Sequence, residues 1–304
     1  MSAIHVKDMR SGRLQRQSTV FNNRGSALII TLLLVAILVG LVVNFVYEVF
    51  IDTSAVSNWS NAQKASYMAK SGQNIAAGFI KQINLYPPSN IREIALPVAR
   101  DFGPGSTLVV TVEDENSKFN INKITDASTF NSLKKLFEYL KINSDIVLII
   151  ADWRDPDSDP RLPDSEDSAK NGELWSVDEL KLIKGIDNEV FEKIVPYVTV
   201  TGNWLGWKIN INTAELPVLI SMDDEMTEAL AEEIIDYRKD SPFNAVTQVQ
   251  NISGLKQIGI RISNESDVRS NNFRIMTRAS VNDITRLIES IIDTNSKIYF
   301  WREV

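Results

Sequence analysis

Residues 26–50 read SALIITLLLVAILVGLVVNFVYEVF, and no ionisable side chain interrupts them before Glu48. A charge-free apolar run of this length can cross about 30 Å of hydrocarbon as a single helix. A buried core helix would be shorter and amphipathic. A secretory signal peptide would have a shorter apolar stretch ending in small residues at a cleavage site. Here the run continues into Phe45, Val46 and Tyr47. Upstream, Lys7, Arg10, Arg13, Arg16 and Arg24 oppose only Asp8; this net +4, in a chain of net charge -7, leaves -11 beyond residue 25. A basic head before an apolar run is expected to stay in the cytoplasm while the body crosses to the outer side. The acidic body argues against non-specific nucleic-acid binding.

Downstream, Ala62, Ala65, Met68, Ala69, Gly72, Ile75, Ala76, Phe79, Ile80 and Ile83 recur at three- and four-residue spacing. That is the pattern of one buried helical face. A first helix over 26–83 is therefore expected, ended by Pro87-Pro88. Residues 107–112 (TLVVTV), 273–279, 287–292 and 297–301 read as strands by their β-branched content, and most of 126–270 is helical in pattern. Strands at both ends with helices between them predict one sheet carrying an insertion.

The chain has 304 residues, 44% of them hydrophobic, with no Cys and a single histidine, His5. Beyond the first residues nothing remains to build a Ser–His or Cys–His nucleophile, a thiolate or imidazole metal site, or a disulfide. Carboxylate, Lys or Tyr chemistry survives, but no motif assembles it. An anchored periplasmic carboxylate hydrolase has no support, and the expected function is non-enzymatic.

Arg24-Gly25 followed by Ser26 and the apolar helix resembles the processing site of type IV prepilins and pseudopilins. The resemblance implies cleavage between Gly25 and Ser26 by a prepilin peptidase, with methylation of the new amine. Glycine suits a bond entering a protease cleft in extended form, having no Cβ. At the fifth mature position, where most pilin-like proteins have Glu, this chain has Ile30. A mid-bilayer carboxylate costs about 2.5–3.5 kcal/mol, so Ile30 removes the need for a partner amine. Together with DENSKFNIN (114–122), ADWRDPDSD (151–159), ININTA (209–214) and IIDYRKDSPF (234–243), this resembles the minor pseudopilin family called general secretion pathway protein K.

The resemblance implies a tip subunit of the type II secretion pseudopilus, single-pass in the bacterial inner membrane. Its implied partners are the I- and J-type minor pseudopilins, the major pseudopilin, the prepilin peptidase and the inner-membrane secretion platform. The expected fold is α+β: a leader (1–25), a long transmembrane and periplasmic helix (26–83), a pilin-like antiparallel sheet (84–125 and 271–304) and an all-α insert (126–270).

Within the insert the chain repeats itself. FNIN (119–122) parallels ININ (209–212), ADWR (151–154) parallels IDYR (235–238), and 176–186 parallels 245–255, each ending in apolar-x-Gly-apolar. Two copies of one helical unit are expected. The Asn pairs would cap helices, and Gly185 and Gly254 would turn helix-hairpin-helix corners. Such corners raise the alternative of a membrane-anchored protein of a DNA-uptake or type IV pilus system. Asp187, Glu189 and Glu192 after Gly185, with only Lys256 and Arg261 basic after Gly254, oppose phosphate contact.

Residues 155–167 hold Asp155, Asp157, Asp159, Asp164, Glu166 and Asp167. Asp155, Asp157, Asp159 and Glu166 follow EF-hand ligand spacing, but Pro160 stands where the loop needs glycine. The readings left open are a non-EF calcium loop and a solvated acidic loop. The family resemblance favours calcium, although Ser165 replaces the family's glycine before Glu166-Asp167. Trp204 and Trp207, in a Gly/Asn-rich loop, are expected as an exposed contact pair.

Overall fold

The computed structural model describes residues 23–98, 102–124 and 126–304, so the leader residues 1–22 lie outside the described residues. The chain forms two units, one ending at Asn58 and one running from Trp59 to Val304. Helix α1 (Asn23–Gln82) contributes to both. It starts three residues before the expected Ser26, so Gly25 lies in its first turn. In the first unit, every large apolar side chain from Leu28 to Ile51 is 46–67% exposed. That is the surface of a helix that is apolar all round, suited to lipid.

In the second unit, α1 packs on a five-stranded antiparallel sheet in the order β1 (Glu93–Leu96), β2 (Ser106–Asp114), β7 (Asn272–Val281), β8 (Ile284–Asp293), β9 (Ile298–Glu303). The four expected strands are present, three with wider bounds and the last, β9, beginning one residue later and ending two later, and β1 is an addition. Ala65, Met68 and Ala69 pack with Ala279, Val281 and Ile288, and Ala76 and Ile80 with Val110, Val112, Phe273, Ile275 and Ile292. Small residues let the helix approach closely: a Cβ on Gly72 would lie 2.9 Å from Val110 Cγ2 and 3.0 Å from Thr277 Cγ2.

Ile75, expected on this face, is 44% exposed. One residue before Ala76, it sits about 100° round the helix. Gln73 is buried in its stead. Its Nε2 donates to Ile288 O at 3.0 Å and to Thr277 Oγ1 at 3.3 Å, while its Oε1 accepts from Ser290 Oγ at 2.6 Å.

The insert leaves the sheet after β2 and returns at β7, and the ends of those strands pair, Asp114 opposite Phe273. Asn116 clips the neck, its Oδ1 accepting from Asn272 N at 2.9 Å. A single buried apolar cluster runs from Phe119 to Val268. Phe119, Ile121 and Ile124 belong to it, so the boundary falls earlier than the expected residue 125. Residue 125 itself lies outside the described residues.

The insert is not all-α, because each repeat is closed by a two-residue parallel strand pair. The first repeat comprises β3 (Phe119–Asn120), α2 (Ala127–Tyr139), α3 (Ile146–Arg154), a 3-10 helix (Val177–Leu182), α4 (Asn188–Ile194) and β4 (Val198–Thr199). The second comprises β5 (Ile209–Asn210), α5 (Leu216–Ser221), α6 (Glu228–Asp240), a 3-10 helix (Val246–Asn251), α7 (Lys256–Arg261) and β6 (Ser266–Asp267). Strand β3 pairs with β4, and β5 with β6. Gly185 and Gly254 turn the expected corners at φ +93 and +81, but the arm before each is 3-10, not α-helical.

A buried charge cluster joins insert to sheet. Glu115 is fully buried and pairs with Lys118 at 3.1 Å and Arg274 at 2.8 Å; Arg274 also pairs with Glu289. Burial alone would push the Glu115 carboxyl up, but the charges of Lys118 and Arg274 outweigh it and hold it well below the usual range.

Candidate functional site

Three features bear on function: the start of α1, the repeat corners and the acidic loop. Gly25 and Ser26 are exposed, with nothing within 4 Å of a Cβ built at Gly25, and Ile30 is 55% exposed among the other lipid-type side chains. The first N–H groups of a helix have no intrahelical partner, so extending the Gly25–Ser26 bond costs less there than in the helix interior.

At the first corner, the Asp187 carboxylate caps α4, accepting from Val190 N at 2.9 Å. A phosphate approaching that helix end would meet a carboxylate already in place.

The Asn pairs do more than cap. Asn120 and Asn210 each accept from the N–H two residues on, at 3.0 Å in both repeats. Asn122 Nδ2 donates to Leu174 O at 2.8 Å and Val200 O at 2.6 Å, and its Oδ1 accepts from Leu174 N at 2.9 Å. Asn212 makes the same set with Phe243 O (2.9 Å), Val268 O (3.0 Å) and Phe243 N (2.8 Å). Each buried amide thus satisfies both its functions while tying three segments of its repeat.

The acidic loop follows α3. Asp155, Asp157 and Glu166 come together, each offering an oxygen within 4.8 Å of the others. Asp159, Asp164 and Asp167 are exposed and outside this group. The Asp159 amide donates to Asp157 Oδ1 at 2.9 Å, and Asp164 faces Lys184 at 3.9 Å.

Beneath the group lies Asp152, fully buried, which accepts from Arg161 N at 2.9 Å and pairs with the Arg161 guanidinium and the Ser165 hydroxyl. Arg161 also reaches Asp155. Ser165 therefore has a specific use for the hydroxyl that a glycine would lack. Asp152 stood out in the sequence only as part of a repeated tetrapeptide, and Arg161 and Ser165 not at all as partners of the loop.

Asp155 Oδ1, Glu166 Oε1 and Asn171 Oδ1 are buried without a hydrogen-bond partner. Burial first, then the charges of Asp152, Asp155 and Asp157, push the Glu166 carboxyl up, with Arg161 offsetting part of this. Four carboxylates share the Arg161 guanidinium, with Arg154 acting on Asp155 as well, so the group stays short of positive charge. Unpartnered oxygens in an acidic site fit a hard divalent cation.

The tryptophans differ from expectation. Trp207 is buried, its Nε1 donating to Lys118 O at 3.0 Å, and Trp204 is half-buried beneath Arg154. Among the described residues the most exposed aromatic of the insert is Trp175, at 77%. A Gly/Asn-rich surrounding signals a loop, not the direction of its side chains.

The family pattern described as type II secretion system (T2SS), protein K matches twice, over residues 117–203 and 209–268, each span enclosing one repeat. A curated relative, type II secretion system protein K of Escherichia coli strain K12, is 26% identical over 206 residues, 58% of this chain. The match spans 62% of the relative's length. The fold is similar to a chain in the crystal structure of the GspK-GspI-GspJ complex from the enterotoxigenic Escherichia coli type 2 secretion system. The TM-score is 0.64 at 20% identity, covering 83% of this chain and 99% of that one.

Proposed function

The chain belongs to the type II secretion system protein K family, and from that premise we propose that it is a non-enzymatic minor pseudopilin at the tip of the pseudopilus, supporting its initiation and protein export. The observation that carries the reading is α1, whose first part is exposed and apolar all round and whose last part packs on an antiparallel sheet. The N-terminus would be cytoplasmic and the sheet and insert periplasmic, across the inner membrane. The prepilin peptidase would cut between Gly25 and Ser26 and methylate the new amine.

Two features favour the tip. Ile30 offers no carboxylate to a neighbour's amine, so no subunit is required ahead of this one. The insert, far larger than the sheet that bears it, would crowd a filament in which every body packs against several others. The partners proposed are the I- and J-type minor pseudopilins, with the major pseudopilin below and the membrane platform at the base.

Expressed in membranes beside an active prepilin peptidase and both sister pseudopilins, the chain should begin at Ser26 by mass analysis and elute with the sisters as a 1:1:1 species. A chain that stays monomeric with both at tens of micromolar would remove it from the tip. An intact leader would count against the processing site alone.

Calcium is the cation proposed for the acidic loop, held by Asp155, Asp157 and Glu166, and it would supply the positive charge the site lacks. Calcium should raise the melting temperature of the full chain in detergent, because binding only to the folded state stabilises it by mass action. Combined Asp157→Ala and Glu166→Ala substitutions should abolish the rise; an unchanged melting temperature in the parent would end the calcium reading.

A further inference from the structure

The two repeats close with the same bonds but differ most in one stretch. From Arg154 to Leu174 the first repeat passes through residues 155–173, whereas from Arg238 to Phe243 the second needs only 239–242. The helices before it differ in length, but the bonds that close the unit on either side correspond. Leu174 and Phe243 bracket the side chains of Asn122 and Asn212. The next two amides are held by one side-chain oxygen: Trp175 N and Ser176 N by Glu179 at 2.6 and 3.2 Å, and Asn244 N and Ala245 N by Gln248 at 2.7 and 3.2 Å. A Cβ on Gly185 would meet Ile146 of α3 at 3.1 Å, and one on Gly254 would meet Leu230 of α6 at 2.9 Å.

No residue of 155–173 belongs to the insert's apolar cluster, which passes from α3 to Leu174. The second repeat shows that the unit closes with a short link in that place. The long loop holds to the rest through polar contacts: Arg161 and Ser165 to Asp152, Gly172 N to Trp153 O at 3.4 Å, Glu173 to Trp204 Nε1 at 2.8 Å, and Lys170 to Glu179 at 2.8 Å. Lys170 also lies over the ring of Trp175, 3.9 Å from its centre. In the second repeat the counterpart of Trp175 is Asn244.

We propose that residues 155–173 are an accessory loop grafted onto a repeat that closes without it. A cation at Asp155, Asp157 and Glu166 then orders the loop and the exposed Trp175 it braces, while the helical core folds without it. The ligand rests on the calcium reading; the independence of loop and core does not.

The test is hydrogen exchange on the full chain in detergent, with and without calcium, beside a variant in which Lys-Asp-Ser-Pro, the sequence of 239–242, replaces 155–173. Without calcium, amides of 155–173 should exchange on the order of a hundredfold faster than those of α2 and α4, because the loop opens without the core. Calcium should slow exchange in the loop and at Trp175, and core amides that open only by global unfolding should slow by no more than the gain in global stability. The variant should melt at the temperature of the calcium-free parent and ignore calcium.

Loop amides that exchange only with the core, or core amides left unprotected until calcium is added, overturn the proposal. A splice junction can fail on its own account, so if the variant does not fold the exchange data on the unaltered chain decide. If the parent does not respond to calcium, the calcium reading fails, and the calcium-free exchange still decides whether loop and core are independent.

Discussion

Helix α1 is one secondary structure made by two opposite rules. From Leu28 to Ile51 it is bulky and apolar on every side, with Leu, Ile, Val and Phe exposed all round. From Trp59 onward, the buried stripe is built from Ala65, Ala69, Gly72 and Ala76, with Gln73 at its edge. The first part is specified by composition, since any large apolar side chain satisfies lipid. The second is specified by shape, since the sheet accepts only small residues at closest approach. Helicity is common to both; tolerance of substitution should not be.

Gly72→Leu should show the difference most strongly. Even a Cβ at this position approaches Val110 and Thr277 too closely. The variant should lose about 3 kcal/mol of stability, seen as a lower midpoint in denaturant. A midpoint equal to the parent's would mean that the helix lies further from the sheet than described.

Gln73→Ala comes next. It strips Ser290 of its acceptor and the sheet carbonyl of Ile288 of a donor, all of them buried. A loss of about 2 kcal/mol is expected by the same measurement, because the buried Ser290 hydroxyl is left without its acceptor and the Gln73 amide bonds across β7 and β8 are lost. A neutral result would mean that water replaces the amide.

At the other extreme, Leu34→Ala lies in the first unit and should shift the unfolding of the sheet by less than about 0.5 kcal/mol. A larger shift would show that the two parts are not governed separately, and the contrast would fail.

The same division explains what could be read in advance. The apolar run is legible from composition, and β2, β7, β8 and β9 from β-branched content. Strand β1 is only four residues, EIAL, between Arg92 and Pro97, too short for alternation to register. The face of α1 was placed correctly apart from Ile75, because hydrophobicity suggested an inward side chain where the stripe's angle excludes one. The repeat was visible in FNIN and ININ, yet the cage each second Asn builds depends on carbonyls far along the chain. In the acidic loop, spacing groups Asp155, Asp157 and Glu166, which the fold brings together, with Asp159, which the turn after Asp157 directs elsewhere. Glu115, Lys118 and Arg274 form their cluster across a long sequence gap, which no local pattern reveals.

The register that sets Asp114 opposite Phe273 has a consequence for folding order. Topologically the whole insert is the loop of one β-hairpin, with Asn116 clipped across its base. A disordered loop of that length must lose closure entropy before the first β2–β7 bond can form, and non-local pairing of this kind is slow. Each repeat, by contrast, can close on itself, since β3 meets β4 and β5 meets β6 within it. The economical route has the repeats fold first and deliver the two strand ends already side by side. The appended body then acts as an intramolecular template for the sheet that carries it.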